Sequence, residues 1–339
     1  MTQHPPIGVL VMAYGTASGP DDIERYYTDI RGGRTPSPEY LKELENRYAA
    51  IGNVFPLLET TRAQAHGLVE RLNVPSTHDP AAVEASIFRA YLGMKHSPPF
   101  IADGVEQMRS DGVERAIGIV MAPHWSSMSV ESYIERARDA IAGRGGAPEI
   151  TFVRSYSSHP AFVELLSARV KDALATLDPG ARAGAGVIFS AHSLPLRTVE
   201  DGSSRCKSCD VCEDSCRYRD GLQETADLVA EQIELGDHTI GWQSAGRTAD
   251  PWWGPTVEDV IRELAAEGRT AVVVCSAGFV ADHLETLFDL DIEAKQVAAE
   301  AGVTFVRTRM PNADPEFLDV LAAVVRDHLA TVPEEARAP

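Results

Sequence analysis

Short runs of β-branched and other apolar residues recur along the chain and alternate with longer segments of helical periodicity. Several runs are apolar at consecutive positions, which is typical of strands that are covered by helices on both faces. This alternation predicts parallel sheets built from β-α-β units. The predicted strands are Ile7 to Tyr14, Ala85 to Tyr91, Ala116 to Met121, Ile150 to Ser155, Gly186 to Ser190, Thr239 to Gln243, Ala271 to Ser276 and Thr304 to Arg307.

The amphipathic segments between these strands predict helices. They are Pro38 to Ala50, Thr60 to Leu72, Phe100 to Ser110, Val130 to Ala142, Pro160 to Leu177, Tyr218 to Leu235, Thr256 to Glu267, Asp282 to Ala301 and Pro315 to Thr331. Gly143 to Pro148 and Asp178 to Gly186 are rich in glycine, proline or both, and mark seams between two halves. We therefore expect domains over 1–148 and 149–314, with helix 315–331 packing back on the first.

Charge narrows the classes of function. The 339 residues include 31 Lys plus Arg and 50 Asp plus Glu, which gives a formal net charge of −19. This disfavours nucleic-acid binding, which depends on cations that neutralise phosphates, and it favours metal ions as ligands. No apolar run approaches the roughly 20 residues of a membrane span, and the first residues lack the pattern of a signal peptide. We expect a cytoplasmic protein with reduced cysteines.

Polar and aromatic side chains gather where the predicted strands end. In open α/β sheets ligands bind at the carboxyl edge of the strands, so the sequence predicts a cleft there. The groups at this edge are Tyr14, Lys95-His96, His124-Trp125, His192-Ser193, Gln243-Ser244 and Ser276.

Four cysteines lie within eleven residues, with two, two and three residues between them: Cys206, Cys209, Cys212 and Cys216. Thiols this close suit a single metal centre better than short strained disulfide loops. An iron–sulfur cluster is the first interpretation and tetrahedral zinc the second. The spacing is that of [4Fe–4S] ferredoxins, but Arg217 replaces the proline that usually follows the last cysteine. Cys275, inside a predicted strand, is expected to be an inert core thiol.

An acidic ladder follows the strand that ends at Ser276. Glu285, Asp289 and Glu293 are spaced four residues apart, so on an α-helix of about 100° per residue they share one face. A solvated helix face is one explanation. The other is capture of a hydrated divalent cation, because Glu285 lies in the first turn at the cleft edge and carboxylates are hard oxygen ligands.

Cations are scarce in this chain, and Arg31, Arg34 and Arg47 lie close together in sequence with Tyr48. Arginine is the residue best suited to carboxylates and phosphates, although helix-surface pairing with neighbouring glutamates is an equally good explanation for each one. The chain has neither a dinucleotide fingerprint nor a P-loop, which disfavours nucleotide chemistry.

Several longer motifs resemble the ferrochelatases, which insert ferrous iron into a porphyrin. The matching runs, in order from Gly8 to about His328, are VMAYGT, DDIERYYTDIRGG, YLGMKHSPPFI, APHWSSMSVESY, SAHSLP, GWQSAG, DPWWGP and GFVADHLETLFDLD. VMAYGT and ERYYTDIR are most similar to the coproporphyrin-using branch of Gram-positive bacteria. The cysteine-rich insert, 201–218, is similar to that of members with a [2Fe–2S] cluster, so the resemblance implies this cofactor.

The resemblance implies an α/β fold of class I chelatase type: two Rossmann-like domains, each with a four-stranded parallel sheet flanked by helices, and a porphyrin cleft between them. It places His192 and Glu285 across the porphyrin centre as catalytic residues and metal ligands, and Asp289 and Glu293 on the path of the Fe²⁺ substrate. The resemblance also implies which residues contact the porphyrin, with Trp125 in the apolar wall. They are Tyr14, Arg31, Arg47, Tyr48, Trp125 and Tyr133.

Two positions depart from the family pattern. Phe55 stands where relatives often have a small hydroxyl residue, and Gly33 stands where they carry a further arginine. The expected reaction is insertion of Fe²⁺ into coproporphyrin III in haem biosynthesis. The alternatives are chelation of protoporphyrin IX or a sirohydrochlorin-like ring, or a non-catalytic haem carrier or iron–sulfur sensor. We expect a monomer without a membrane span that contacts neighbouring haem-pathway enzymes transiently.

Overall fold

Two four-stranded parallel sheets dominate the computed structural model, which describes residues 5–74, 87–143, 148–198, 204–207, 216–246 and 248–331. The first sheet has the order β2-β1-β3-β4 and the second the order β10-β9-β5-β8, and each is flanked by helices as predicted. A short antiparallel hairpin, β6-β7, follows β5. The strands are β1 (Ile7–Ala13), β2 (Phe88–Met94), β3 (Arg115–Val120), β4 (Glu149–Val153), β5 (Ala185–His192), β6 (Leu196–Thr198), β7 (Ser204–Cys206), β8 (His238–Gln243), β9 (Ala271–Cys275) and β10 (Thr304–Arg307).

Helices connect the parallel strands. They are α1 (Ile23–Ile30), α2 (Pro38–Ala50), α3 (Leu57–Leu72), α4 (Ile101–Ser110), α5 (Val130–Ala142), α6 (Pro160–Ala175), α7 (Pro179–Ala183), α8 (Arg217–Gln232), α9 (Val257–Ala266), a π-helix (Glu285–Ala294), α10 (Lys295–Glu300) and α11 (Pro315–Thr331). Ser37, Asp178 and Thr256 cap the amino termini of α2, α7 and α9 with their side chains.

The central strands are apolar on consecutive residues because both of their faces are covered. Every residue of β9 is buried, and so are Val9 to Met12 of β1. One hydrophobic cluster includes side chains of both sheets, together with Phe162 of α6 and Phe317 of α11. The two sheets therefore share a core, and the edges that carry their functional groups are held in a fixed relation.

The domain boundary expected at residue 148 lies one strand too early. β4 pairs in parallel with β3, so the first sheet continues to Val153. The second sheet begins with β5. Helix α11 contacts α3 of the first predicted domain, and α6 and β4 of the second.

Three local predictions need correction. The segment from Asp282 to Ala301 is not one α-helix, because its first ten helical residues form the π-helix and only α10 is α-helical. The strand expected from Ala85 begins at Phe88 among the described residues. Helix α1 and the β6-β7 hairpin were not predicted, since both are short and α1 buries only Ile23 and Tyr26.

No described helix combines the length and the apolar composition needed to cross a bilayer.

Substitution of Gly278 measures how tightly the chain packs against β5 of the second sheet. A Cβ atom at this position would lie 2.5 Å from the Cβ of Ala191, on the strand that carries the candidate catalytic histidine. We expect Gly278→Ala to destabilise the fold by about 1–3 kcal/mol, measured from the midpoint of urea unfolding. Gly19→Ala is the matched control, because no atom lies within 4 Å of its added Cβ. Equal stability of the two variants would contradict the close approach.

Candidate active site

His192 ends β5, in register with Gln243 of the neighbouring strand β8. Its Nδ1 donates a hydrogen bond to the carbonyl oxygen of Ser193, so in the neutral ring the proton lies on Nδ1 and Nε2 keeps a free lone pair. Nε2 lies 3.7 Å from Oε1 of Glu285. The structure thus brings together the two residues expected at the porphyrin centre, with the basic nitrogen facing the carboxylate.

Glu285 lies between two imidazoles. Its Oε2 is 3.6 Å from Nε2 of His283, whose Nδ1 is 3.0 Å from the carbonyl oxygen of Ala281. Burial acts to raise the pKa of Glu285, but His192, His283 and Arg47 together lower it to about 2. The carboxylate is therefore ionised throughout the physiological pH range. His283 was not singled out from the sequence, although it stands two residues before Glu285 in the same motif.

Gln243 connects the second sheet to the start of the π-helix. Its Oε1 accepts a hydrogen bond of 2.9 Å from Ser190 Oγ, and its Nε2 donates one of 3.3 Å to the backbone oxygen of Glu285. Gln243 is buried, so these bonds are protected from solvent. The distance between His192 and Glu285 is consequently set by the sheet itself rather than by a loop.

Asp289 continues the acidic ladder one step along the π-helix. Its side chain is buried and accepts hydrogen bonds from Arg47 at Oδ1 and from Ser244 at Oδ2. Burial raises its pKa to about 6, and the Arg47 charge opposes that rise. Glu293 is exposed. The ladder therefore runs from the site to the surface, and only its outer end fits the alternative of a solvated face.

Ser244 is a second residue that sequence reasoning did not assign. It directly follows β8 and adopts a positive φ of 60°, which is uncommon for a residue other than glycine and recurs at functional sites. This conformation accompanies the hydrogen bond from its hydroxyl to Asp289. The available signal was its position after a predicted strand.

Tyr14 directly follows β1 and is 41% exposed, the open position expected of a group that approaches a ring. The surrounding protein and the Glu285 charge both raise its pKa. The ring of His96 lies 4.6 Å from it, centroid to centroid. Tyr133 is buried on α5 beneath Lys95, whose Nζ is 5.1 Å from the ring centre. Glu285 contributes to raised pKa values at Tyr14 and Tyr133, which places both near the site.

Tyr48 lacks the exposure expected of a residue that contacts a propionate. It is buried and stacked on Phe55, with ring centroids 4.6 Å apart, and its hydroxyl lies 3.5 Å from Thr16 Oγ1. Phe55, at the position where relatives often have a hydroxyl residue, is thus part of an aromatic packing contact. Gly33 has a φ of 85°, a conformation that favours glycine over the arginine of relatives.

Arg31 caps the carboxyl end of α1, where its guanidinium lies 5.7 Å from the ring centre of Tyr27 and donates to the carbonyl oxygen of Arg34. Among the described residues it pairs with no carboxylate, so its charge is available to an anionic ligand. Arg47, by contrast, is already paired with Asp289.

Neither His192 nor Glu285 lines the cavity in which Trp125 lies. Trp125 lines this cavity, of about 610 Å³, together with His124, Arg154 and Arg217. Its indole Nε1 donates to Glu131 Oε2 over 3.1 Å. The wall near His192 is formed by Phe279 and Trp252, whose ring centroids both lie 6.4 Å from the imidazole.

Two cysteines of the insert are described, and they are adjacent. Cys206 ends β7 and Cys216 precedes α8, and their sulfur atoms are 3.0 Å apart in buried positions. The hydrogen bond with Cys206 lowers the pKa of Cys216 to about 6 against the effect of burial. Cys209 and Cys212 lie outside the described residues. Burial raises the pKa of Cys275 to about 12, in agreement with an inert core thiol.

The insert is linked to the active site through Tyr218. This residue lies in the first turn of α8, two positions after Cys216, and its hydroxyl donates a hydrogen bond of 2.9 Å to the backbone oxygen of His192. Within the described part of the chain, no three His, Cys, Asp or Glu side chains are grouped closely enough to hold a metal ion.

The chain matches a known protein family over almost its whole length. The family model described as Ferrochelatase matches residues 6–329. A coproporphyrin III ferrochelatase of Anoxybacillus flavithermus is 47% identical over 95% of this chain and 96% of its own length. That of Bacillus subtilis is 45% identical over 94% of this chain and 96% of its own.

Solved structures extend the likeness to the fold. The sirohydrochlorin chelatase SirB from Bacillus subtilis subspecies spizizenii, in complex with cobalt, aligns with a TM-score of 0.54 over 97% of both chains, at 12% identity. SirB from Bacillus subtilis with Fe³⁺ gives 0.56 over 95% of both chains, at 11% identity. At such identities these structures support the two-domain chelatase fold alone. On the family match and the close relatives, the chain belongs to the ferrochelatase family.

Proposed function

We propose that this protein inserts ferrous iron into coproporphyrin III to give iron-coproporphyrin, a step of haem biosynthesis. The observation that carries the proposal is the pairing of a basic His192 Nε2 with the ionised Glu285 carboxylate, with a second carboxylate, Asp289, behind it. The choice of ring is supported by relatives at 45–47% identity that are named coproporphyrin III ferrochelatases.

The imidazole and carboxylate divide the acid–base work. A pyrrole nitrogen must lose its proton before it can bind iron, and His192 Nε2 has the lone pair to accept it. The imidazolium that results lies 3.7 Å from Glu285, whose charge stabilises it. Fixation of Nδ1 by the Ser193 carbonyl keeps Nε2 directed at the reacting centre.

The acidic ladder supplies the route for the Fe²⁺ substrate. Full dehydration of a divalent ion in one step is costly, but carboxylate oxygens can replace its waters successively. Glu293 at the surface, Asp289 in the interior and Glu285 beside His192 provide that sequence of ligands. The ion can therefore enter the site without passing through an apolar region unaccompanied.

The carboxylates of the ring need cations, because the chain as a whole is strongly acidic. Arg31 is available for this, whereas Arg47 is paired with Asp289. Tyr14 is exposed and can contact the ring, whereas Tyr133 is buried. Tyr48 contributes through packing with Phe55, as its hydroxyl is directed to Thr16.

A [2Fe–2S] cluster held by Cys206, Cys209, Cys212 and Cys216 is part of the proposal. The two described thiols fit such a group, because they are adjacent, buried and, at Cys216, easily ionised, as a metal-bound thiolate must be. When bound, the cluster supplies one-electron redox chemistry. It lies off the proposed route of iron and porphyrin. The described part of the insert is joined to the site through α8 and Tyr218, and through the β6-β7 hairpin that follows His192. A cytoplasmic location, a monomeric state and transient contact with neighbouring haem-pathway enzymes stay predictions.

Anaerobic incubation with Fe²⁺ tests the proposed reaction. We expect the purified protein to metallate coproporphyrin III faster than protoporphyrin IX, followed by visible absorption. Preference for protoporphyrin IX, or for a sirohydrochlorin-like ring with Co²⁺, would instead support the alternative chelatases.

His192→Ala is expected to abolish insertion while ring binding, measured by fluorescence quenching, persists. Substitution of the exposed His66 by Ala serves as the control. Insertion at the normal rate by His192→Ala would remove this residue from the mechanism.

Glu285→Gln separates an enzyme from a carrier. Loss of the charge beside His192 should lower the turnover number at least about a hundredfold, because both the imidazolium and the metal lose their counter-charge. Glu300→Gln on α10 is the matched control, since Glu300 is exposed and contacts only Gln296 among the described residues. A carrier that binds haem through Tyr14 or His192 would show little effect of Glu285→Gln on ligand binding, and wild-type turnover would contradict the assigned role.

Cys209→Ser tests the cluster. We expect the anaerobically purified variant to lose the visible absorption of an iron–sulfur centre and its iron content, because one of four thiolate ligands is missing. Cys275→Ala, which removes a thiol buried in β9, should retain both signals. A full cluster spectrum at full iron content in Cys209→Ser would show that the four-thiol assignment is wrong, and stoichiometric zinc in the wild-type protein would favour the tetrahedral alternative.

A further inference from the structure

Asp289 is not free to bind iron in this structure. Its Oδ1 accepts a hydrogen bond from Arg47 and its Oδ2 one from Ser244, so both oxygens are engaged by the protein. The side chain of Asp289 is almost completely buried, and it is paired with the guanidinium of Arg47. A fixed positive charge in contact with a carboxylate repels an arriving cation and competes for the same oxygen.

Arg47 is nevertheless only partly satisfied. It belongs to α2, far in sequence from the π-helix, and its guanidinium packs over the ring of Phe288 at 4.7 Å. One terminal nitrogen reaches Asp289, while the buried Nε has no hydrogen-bond partner. Arginine binds carboxylates best through two parallel hydrogen bonds, and a buried donor without a partner is unfavourable. A second carboxylate could offer Arg47 a more complete set of bonds.

We propose that Arg47 makes access of iron to Asp289 conditional on a carboxylate-bearing ring. This inference rests on the proposed function. A carboxylate of the ring takes the guanidinium through Nε and a terminal nitrogen, Arg47 leaves Asp289, and the freed oxygen becomes a ligand for the metal. Ring and metal then bind cooperatively, and by thermodynamic linkage each raises the affinity of the other by the same factor. Iron is thereby kept from Asp289 until the ring that accepts it is bound.

Arg31 offers a matched comparison. It is another arginine of the first half of the chain, but it touches Tyr27 and the backbone of Arg34, and pairs with no carboxylate in the described segments. Its removal takes away a cation that attracts the ring without releasing Asp289. Comparison of variants at Arg31 and Arg47 therefore separates general charge attraction from the specific exchange of partners at Asp289.

The test measures Mn²⁺ binding by the electron paramagnetic resonance of the free ion, because Mn²⁺ prefers oxygen ligands and leaves the thiols aside. Each protein is titrated alone and when saturated with N-methylcoproporphyrin, which keeps the ring carboxylates but resists metallation. For the wild-type protein we expect the ring to lower the Kd for Mn²⁺ about tenfold. Arg47→Met, which retains packing on Phe288, should bind Mn²⁺ about tenfold more tightly than wild type without the ring, and the ring should change that value less than about twofold.

Two further variants make the readout specific. Arg31→Met should keep the coupling of the wild-type protein, and Asp289→Asn in the Arg47→Met background should remove the gain in affinity. Equal Mn²⁺ affinity of wild type and Arg47→Met without the ring, or full coupling in Arg47→Met, would overturn the inference even if iron insertion is observed. Failure of the ring analogue to bind would count against the proposed function, while the ring-free comparison would still decide whether Arg47 blocks Asp289.

Discussion

The ionised carboxylate of Glu285, held largely away from water, is the constraint on which the rest of the site depends. Burial alone would favour its neutral form, whereas positive charge on His283 and His192, 3.6 and 3.7 Å away, and on Arg47 lowers its pKa. Each imidazole is itself oriented by a backbone carbonyl. These contacts require the end of β5, the loop after β9 and the first residue of the π-helix to meet at one point, and Gln243 joins them there.

The sheets and the edge that carries the site could be predicted because their determinants are local. Consecutive apolar residues indicate covered strands, and the carboxyl ends of those strands carry Tyr14, His192 and Ser244 irrespective of how the helices pack. The spacing of Glu285, Asp289 and Glu293 predicted a shared helix face. It did not distinguish a π-helix from an α-helix, because four residues make about one turn in either, and the wider helix depends on its tertiary contacts.

Contacts between residues that are far apart in the sequence could not be predicted from the sequence. Arg47 and Asp289 are 242 residues apart, and nothing local to either shows that they pair. Trp125 follows a strand of the first sheet just as His192 follows one of the second, yet the loop after β3 carries it to a different cavity. Position at a strand end predicts the edge of the sheet at which a side chain lies, but the direction of the side chain is decided by its neighbours.

The hydrogen bond from Tyr218 to His192 ends on the main-chain oxygen and not on the imidazole. It therefore secures the end of the strand without occupying a ring nitrogen: Nδ1 is held by the Ser193 carbonyl, and Nε2 stays free. The proposed role of His192 as proton acceptor is therefore compatible with a backbone that stays fixed. The first turn of α8 acts as a brace for the histidine and takes no part in its chemistry.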